Sequence, residues 1–211
     1  MKSRTEQENF WLNEEWADGY MERKSFGEIP IEPYENFFSR IIKDSYNIQS
    51  AIELGANIGL NLVAIKKLFP SISLSAVEIN PKACEQLAGL GFLDNIYNQS
   101  LLDLQIAEKT DLVIIKTVLI HINPDYLDVV YKNLYDLSSR YILIAEYYNP
   151  TPVEVLYRGH SNKLFKRDFA GEILDMYPDL KLVDYGFAYH RDHYFAQDDV
   201  TWFLLEKTRD K

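Results

Sequence analysis

Apolar residues in this chain fall in short continuous runs. Each run is followed by a polar turn and then by a stretch in which apolar positions recur every three or four residues. Such runs read as strands buried on both faces and the stretches between them as crossover helices, so the alternation predicts a mostly parallel α/β sheet with helices on both faces. Residues 51–54 form the first strand. A helix from about Gly59 to Phe69 is stopped by Pro70, 73–78 is the second strand, and Asn80-Pro81 opens a helix that closes near Gly91. A short third strand at 95–98, a fourth at 111–117, a helix over 125–137 and a fifth strand at 141–146 continue the pattern. A helix over about 168–177 then precedes two long β-rich segments, 180–190 and 200–207, joined as a hairpin rather than by a crossover.

With 211 residues, 47% of them hydrophobic, the chain builds one large core rather than two, so a single domain over 1–211 is expected. Residues 1–48 read as an N-terminal helical cap. Residues 149–167 read as a structureless insertion long enough to be a lid. Cys84 is the single cysteine and excludes an intramolecular disulfide; in a crossover helix it reads as a small buried hydrophobe. No apolar run spans a bilayer and the polar start is no signal peptide, so the expectation is a cytoplasmic protein without membrane contact. A formal charge of −10 opposes binding to phosphate polymers, which makes nucleic acid a poor partner.

The chemistry concentrates where the first strand meets its helix. Glu53-x-Gly55-x-Asn57-x-Gly59-x-Asn61 is a small-residue turn led by a carboxylate, and Glu78 ends the second strand 25 residues after Glu53. The glycines take backbone conformations that other residues avoid, and the following helix offers free N–H groups. An acid at the second strand tip is placed to grip ribose hydroxyls. A dinucleotide site needs three glycines and no leading acid, because pyrophosphate sits on the helix N-terminus; a dehydratase or reductase is disfavoured for that reason. The leading acid suits a ligand with a positive centre and an amino acid moiety, as in S-adenosylmethionine. At Glu53, Gly55, Gly59 and Glu78 the chain resembles the class I methyltransferases, with Asn57 in place of the commoner central Gly.

That resemblance implies a Rossmann-like class I methyltransferase sheet of five parallel strands plus a terminal antiparallel β-hairpin. Ligands of open α/β sheets gather outside the carboxyl ends of the strands. The loop after the third strand brings Ser100 and Leu101 to the adenine edge, and the fourth strand tip brings Thr117, Leu119 and His121. Leu119 is expected against the adenine face. His121 is the first candidate for the base, since its unperturbed pKa lies near neutrality, with Glu146 and Tyr147 next. Aromatic faces attract cations, so Tyr20 or Trp11 of the N-terminal segment is expected near the sulfonium, with Trp16 packing against the sheet. The 149–167 segment carries Arg158, Lys163, Lys166 and Arg167 against Glu154 alone, a positive cluster suited to an anionic small molecule. Tyr148, Tyr157, Arg158, His160 and Lys166 are its substrate-binding candidates. His190-Arg191-Asp192-His193 has metal-ligating residue types without a third and fourth ligand, and no metal is expected.

Further stretches sharpen the likeness: Ala145–Pro152, Tyr157-Arg158-Gly159-His160, Leu164–Glu172, Asp184-Tyr185-Gly186-Phe187 and Asp198–Lys207. With them the chain resembles the pseudaminic acid biosynthesis-associated methylases over nearly its whole length. The resemblance implies methyl transfer from S-adenosylmethionine to an O or N atom of a sugar acid or nucleotide-sugar in a bacterial nonulosonic acid or surface-glycan pathway. The competing expectation is a protein that binds the cofactor without turnover, as a partner or sensor in glycan assembly.

Overall fold

The computed structural model describes residues 4–12, 29–43 and 46–208. Within them a seven-stranded sheet runs in the order β3-β2-β1-β4-β5-β9-β8. Strands β1 (Ser50–Leu54), β2 (Ser73–Glu78), β3 (Asn95–Asn98), β4 (Thr110–Lys116) and β5 (Ser138–Glu146) pair in parallel. Strands β8 (Leu180–Ala188) and β9 (Val200–Lys207) close the far edge antiparallel.

Side chains alternate across each strand, and the alternation sorts the core into two layers. Ala51, Leu112, Ile114, Leu143 and Ala145 face α2 (Glu32–Ile41), α3 (Leu60–Leu68) and α4 (Pro81–Gly89). Ile52, Leu54, Val113, Ile115, Ile142 and Ile144 face α5 (Leu127–Leu137) and α6 (Phe169–Met176). The helix expected from Asp125 begins as a single 3₁₀ turn, Pro124–Tyr126, whose first amide is capped by the Asn123 side chain. Strand order reverses between β1 and β4, which opens a crevice above their carboxyl ends.

Residues 149–167 are not the structureless insertion expected. They fold into a separate antiparallel pair, β6 (Val153–Tyr157) and β7 (His160–Lys166). Arg158 and Gly159 both take positive φ, 51° and 86°, the geometry of a two-residue hairpin turn matched to strand twist. Strand β7 packs against the short helix Leu119–His121 that follows β4, and so brings the hairpin to the rim of the crevice.

A short helix, α1 (Glu6–Leu12), lies across that rim. It starts with a reciprocal cap: the Glu8 amide donates to Thr5 Oγ1 and the Thr5 amide donates to Glu8 Oε2, both at 3.1 Å.

Candidate active site

The turn after β1 is built from left-handed residues. Gly55, Asn57 and Gly59 have φ of 77°, 49° and 87°. A Cβ at Gly55 would stand 2.6 Å from Val118 Cγ2, and one at Gly59 2.7 Å from Leu87 Cδ2, so the turn packs against the loop after β4 and against α4. Asn57 takes its left-handed conformation at the low cost that asparagine allows. Its amide donates to Glu78 Oε2 at 2.7 Å, and the Asn80 amide donates to Glu78 Oε1 at 2.8 Å. Glu78 thus clasps the turn to the β2 tip while lining the crevice.

Below the turn Glu53 is buried and accepts from Asn61 Nδ2 at 2.5 Å. Burial pushes its pKa up to about 8; the Asn61 hydrogen bond and the Lys116 charge pull the other way, and the Glu78 charge adds to the rise. Its carboxyl is therefore largely protonated at neutral pH, which weakens the sequence argument that Glu53 by itself repels pyrophosphate. Glu53 Oε2 and Asn61 Oδ1 are buried oxygens without a partner among the described residues.

The crevice has a volume of about 490 Å³. Gly55, Asn57, Gly59, Asn61 and Glu78 line it, together with Ser100, Leu101 and Thr117. Trp11, His121, Tyr147, Tyr157 and Arg158 line it as well. His121 is packed between aromatic rings, with centroids 4.7 Å from Trp11 and 4.9 Å from Tyr157. Its Nδ1 lies 2.6 Å from the Lys163 carbonyl oxygen. Burial lowers its pKa to about 4.

Other sequence candidates do not reach the crevice. Leu119 is wholly buried in the core beneath it; the flanking Val118 and Ile120 line the wall instead. Glu146 points toward the α5–α6 layer, where its Oε1 accepts from the Val118 and Leu119 amides, each at 2.9 Å. Burial pushes its pKa up to about 7. Its observed work is to hold the loop that carries His121. Tyr148 is exposed against Phe203, and His160 packs edge-on to Phe10. Lys166 Nζ sits 5.2 Å above the Tyr147 ring. Lys163 pairs with Glu6 and Arg167 with Glu172, so within the basic cluster Arg158 alone faces the crevice. Tyr20 and Trp16 lie outside the described residues. His190 bonds Asp199 at the exposed far edge, and Cys84 is half-buried with its thiol pKa pushed up to about 11, chiefly by burial.

Sequence reasoning missed Glu8 and Lys116. Glu8 Oε1 accepts from the Ser100 hydroxyl, which joins α1 to the loop expected to meet adenine. The spacing Thr5-x-x-Glu8 is a capping signature and marked that helix start. Lys116 is 9% exposed and lines the crevice; its signal is a lysine ending an otherwise apolar strand.

No family model matches the chain, and no curated protein does. Solved structures do. Magnesium protoporphyrin IX methyltransferase from Synechocystis PCC 6803, with bound SAH, superposes with a TM-score of 0.71 at 13% identity, over 96% of this chain and 100% of the other. A Burkholderia thailandensis 1,6-didemethyltoxoflavin-N1-methyltransferase, with bound 1,6-didemethyltoxoflavin and S-adenosylhomocysteine, gives 0.68 at 14%, covering 99% and 92%. The plantazolicin methyltransferase BpumL in complex with SAH gives 0.65 at 15%, covering 96% and 94%. The chain has the class I methyltransferase fold. At these identities the likeness is one of fold. Within this methyltransferase fold, the expected run of five parallel strands and a terminal antiparallel pair is present, and the candidate residues that line the crevice do so at the β1–β4 reversal.

Proposed function

We propose that the protein is an S-adenosylmethionine-dependent methyltransferase acting on an O or N atom of an anionic sugar derivative, a sugar acid or nucleotide-sugar of nonulosonic or surface-glycan type. The main support is the turn itself. Beneath Gly55–Gly59, Asn61 Oδ1 and, once Glu53 is ionised, Glu53 Oε2 can accept from a ligand donor; Asn61 lines the crevice, and Glu78 lines it at the next strand tip. The α-ammonium and ribose hydroxyls of S-adenosylmethionine supply donors of those two kinds, so the residues fit the group. Bound there, the cofactor supplies an electrophilic methyl group on a sulfonium centre.

The chain's share of the chemistry is chiefly placement. Ser100, Leu101, Thr117 and Tyr147 line the crevice. A bound acceptor held in line, in a site walled by Trp11, Tyr157 and Ile120, gains most of its acceleration from orientation and exclusion of water. Arg158 offers a planar two-pronged donor to a carboxylate or phosphate on the acceptor. A carbonyl oxygen only accepts, so His121 Nδ1 carries the proton and donates to Lys163, leaving the Nε2 lone pair to receive the acceptor proton. The sugar part of the assignment rests on the sequence resemblance and on Arg158.

Incubation with methyl-labelled S-adenosylmethionine and a panel of sugar acids and nucleotide-sugars tests the proposal. Label transfer to one or more of them is expected. Transfer only to uncharged acceptors would remove the anionic-sugar assignment, and tight cofactor binding with no transfer to any acceptor would favour the non-catalytic alternative.

A further inference from the structure

Gln7 lies on α1 four residues before Trp11, so the two side chains share one helix face. Both line the crevice, and Trp11 meets His121 there. Gln7 is 2% exposed. Its Nε2 donates to the Asn162 carbonyl of β7 at 3.0 Å, and its Oε1 is a buried oxygen without a partner among the described residues. The contact itself fixes which amide atom is which, because a carbonyl oxygen only accepts and the atom facing it must be the nitrogen.

Strand β7 is shaped to hold this arrangement. Its register with β6 passes from Val155–Leu164 to Tyr157–His160, so β7 carries extra residues there, and Asn162 among them has a φ of 59°. Successive carbonyls of a regular strand point to opposite edges. At this bulge the Asn162 carbonyl takes Gln7 Nε2, and the next carbonyl, that of Lys163, faces His121 Nδ1. Glu6 fastens the same two residues, pairing with Lys163 and accepting from Asn162 Nδ2 at 3.0 Å. Two crevice-lining side chains thus spend a donor on adjacent carbonyls of one strand. Each keeps an acceptor atom, Nε2 of His121 and Oε1 of Gln7.

Leaving a buried amide oxygen unpaired costs stability, and a ligand donor offsets that cost. The terminal torsion of glutamine is broad, so the oxygen can turn to a ligand in the crevice. We infer that Gln7 is a specificity-determining residue of the acceptor site, whose Oε1 receives a hydrogen bond from a second hydroxyl or N–H group of the acceptor, near the atom that gives its proton to His121. The crevice then selects acceptors with two donors close together, as in a diol or an amino alcohol. The inference rests on the methyl transfer proposed above and narrows its acceptor class. A purely structural role, tying α1 to the hairpin through Nε2 alone, predicts a loss of stability on substitution and no change in acceptor preference.

The test takes the sugar acid or nucleotide-sugar that accepts label best and compares it with its monodeoxy analogues at saturating S-adenosylmethionine. Among analogues that keep the methylated atom, at least one should fall roughly 10- to 100-fold in kcat/KM, the cost of leaving a buried acceptor unpaired. In Gln7→Leu that ratio should shrink to about 3-fold or less, while S-adenosylhomocysteine affinity by calorimetry matches wild type and shows that the variant is folded. Gln7→Glu keeps an acceptor oxygen and should retain most of the ratio. Monodeoxy analogues all within about 3-fold of the parent, or a ratio undiminished in Gln7→Leu, overturn the inference and leave the methyl-transfer reading standing. Should Gln7→Leu fail to fold, the wild-type ratio and Gln7→Glu decide, and loss of the ratio in Gln7→Glu overturns the inference. Silence of the wild-type protein toward every acceptor removes the proposed acceptor class and this inference together.

Discussion

His121 and Lys163 meet through a ring nitrogen and a main-chain carbonyl 2.6 Å apart, so a strand of the β6–β7 hairpin sets the tautomer of an imidazole on the loop after β4. The hairpin thereby orients the candidate base as well as lining the crevice with Tyr157 and Arg158.

His121→Ala should lower turnover on a hydroxyl acceptor by roughly 10²-fold or more and change cofactor affinity little. Because burial lowers the imidazole pKa to about 4, the wild-type rate should stay flat from pH 8 down to about 5 and fall only below that. An unchanged rate in the variant at saturating cofactor removes His121 from the base role.

Glu53 carries the opposite sign. Its folded pKa is raised from 4.5 to about 8, so the protonated carboxyl supports the fold fully below pH 4.5. That contribution is lost as the unfolded chain ionises, progressively up to about pH 8. Glu53→Gln should raise the melting midpoint at pH 8 by at least about 3 °C, the shift that roughly 1 kcal/mol gives a chain of this size. The same change should weaken cofactor binding, which calorimetry would register. Wild-type binding should release protons near pH 7.5, seen as a dependence of the heat on buffer ionisation enthalpy.

Gly59→Ala places a methyl group 2.7 Å from Leu87 Cδ2 at a φ of 87°. Left-handed strain and overpacking together should cost about 2–4 kcal/mol in urea unfolding. Gly159→Ala, at a similar φ with open space around it, should cost about 1–2 kcal/mol. Equal losses at the two sites would contradict the packing described for the β1–α3 turn.

Glu8 holds α1 to both its own cap and Ser100. Glu8→Ala should speed dissociation of a bound cofactor analogue several-fold in stopped-flow, with the melting midpoint within about 2 °C of wild type. A loss of stability without a faster off-rate would make α1 a packing element only.

Much of this arrangement is legible in the sequence, and the remainder fails for identifiable reasons. The β1–turn–α3 unit reads clearly because its apolar run, its glycines and the acid at the next strand tip all point the same way. Strand tips tell which residues stand near a crevice but not on which face their side chains emerge. Glu146 follows Ile142 and Ile144 toward α5 and α6, whereas Lys116 follows Leu112 and Ile114 toward α2. Leu119 misleads for a related reason, since a single 3₁₀ turn sends it inward and exposes its neighbours to the crevice. The β6–β7 hairpin hides because its outer strand residues are largely polar or exposed and two prolines precede it, although Arg158-Gly159 is a two-residue turn signal. The basic cluster reads as one anion site in sequence, while in three dimensions Glu6 and Glu172 take up Lys163 and Arg167.

The most direct test of the account is a calorimetric titration of the purified protein with S-adenosylhomocysteine and, separately, with NAD. Micromolar affinity for S-adenosylhomocysteine and no heat with NAD is the predicted result; preference for NAD, or no binding of either, would contradict it.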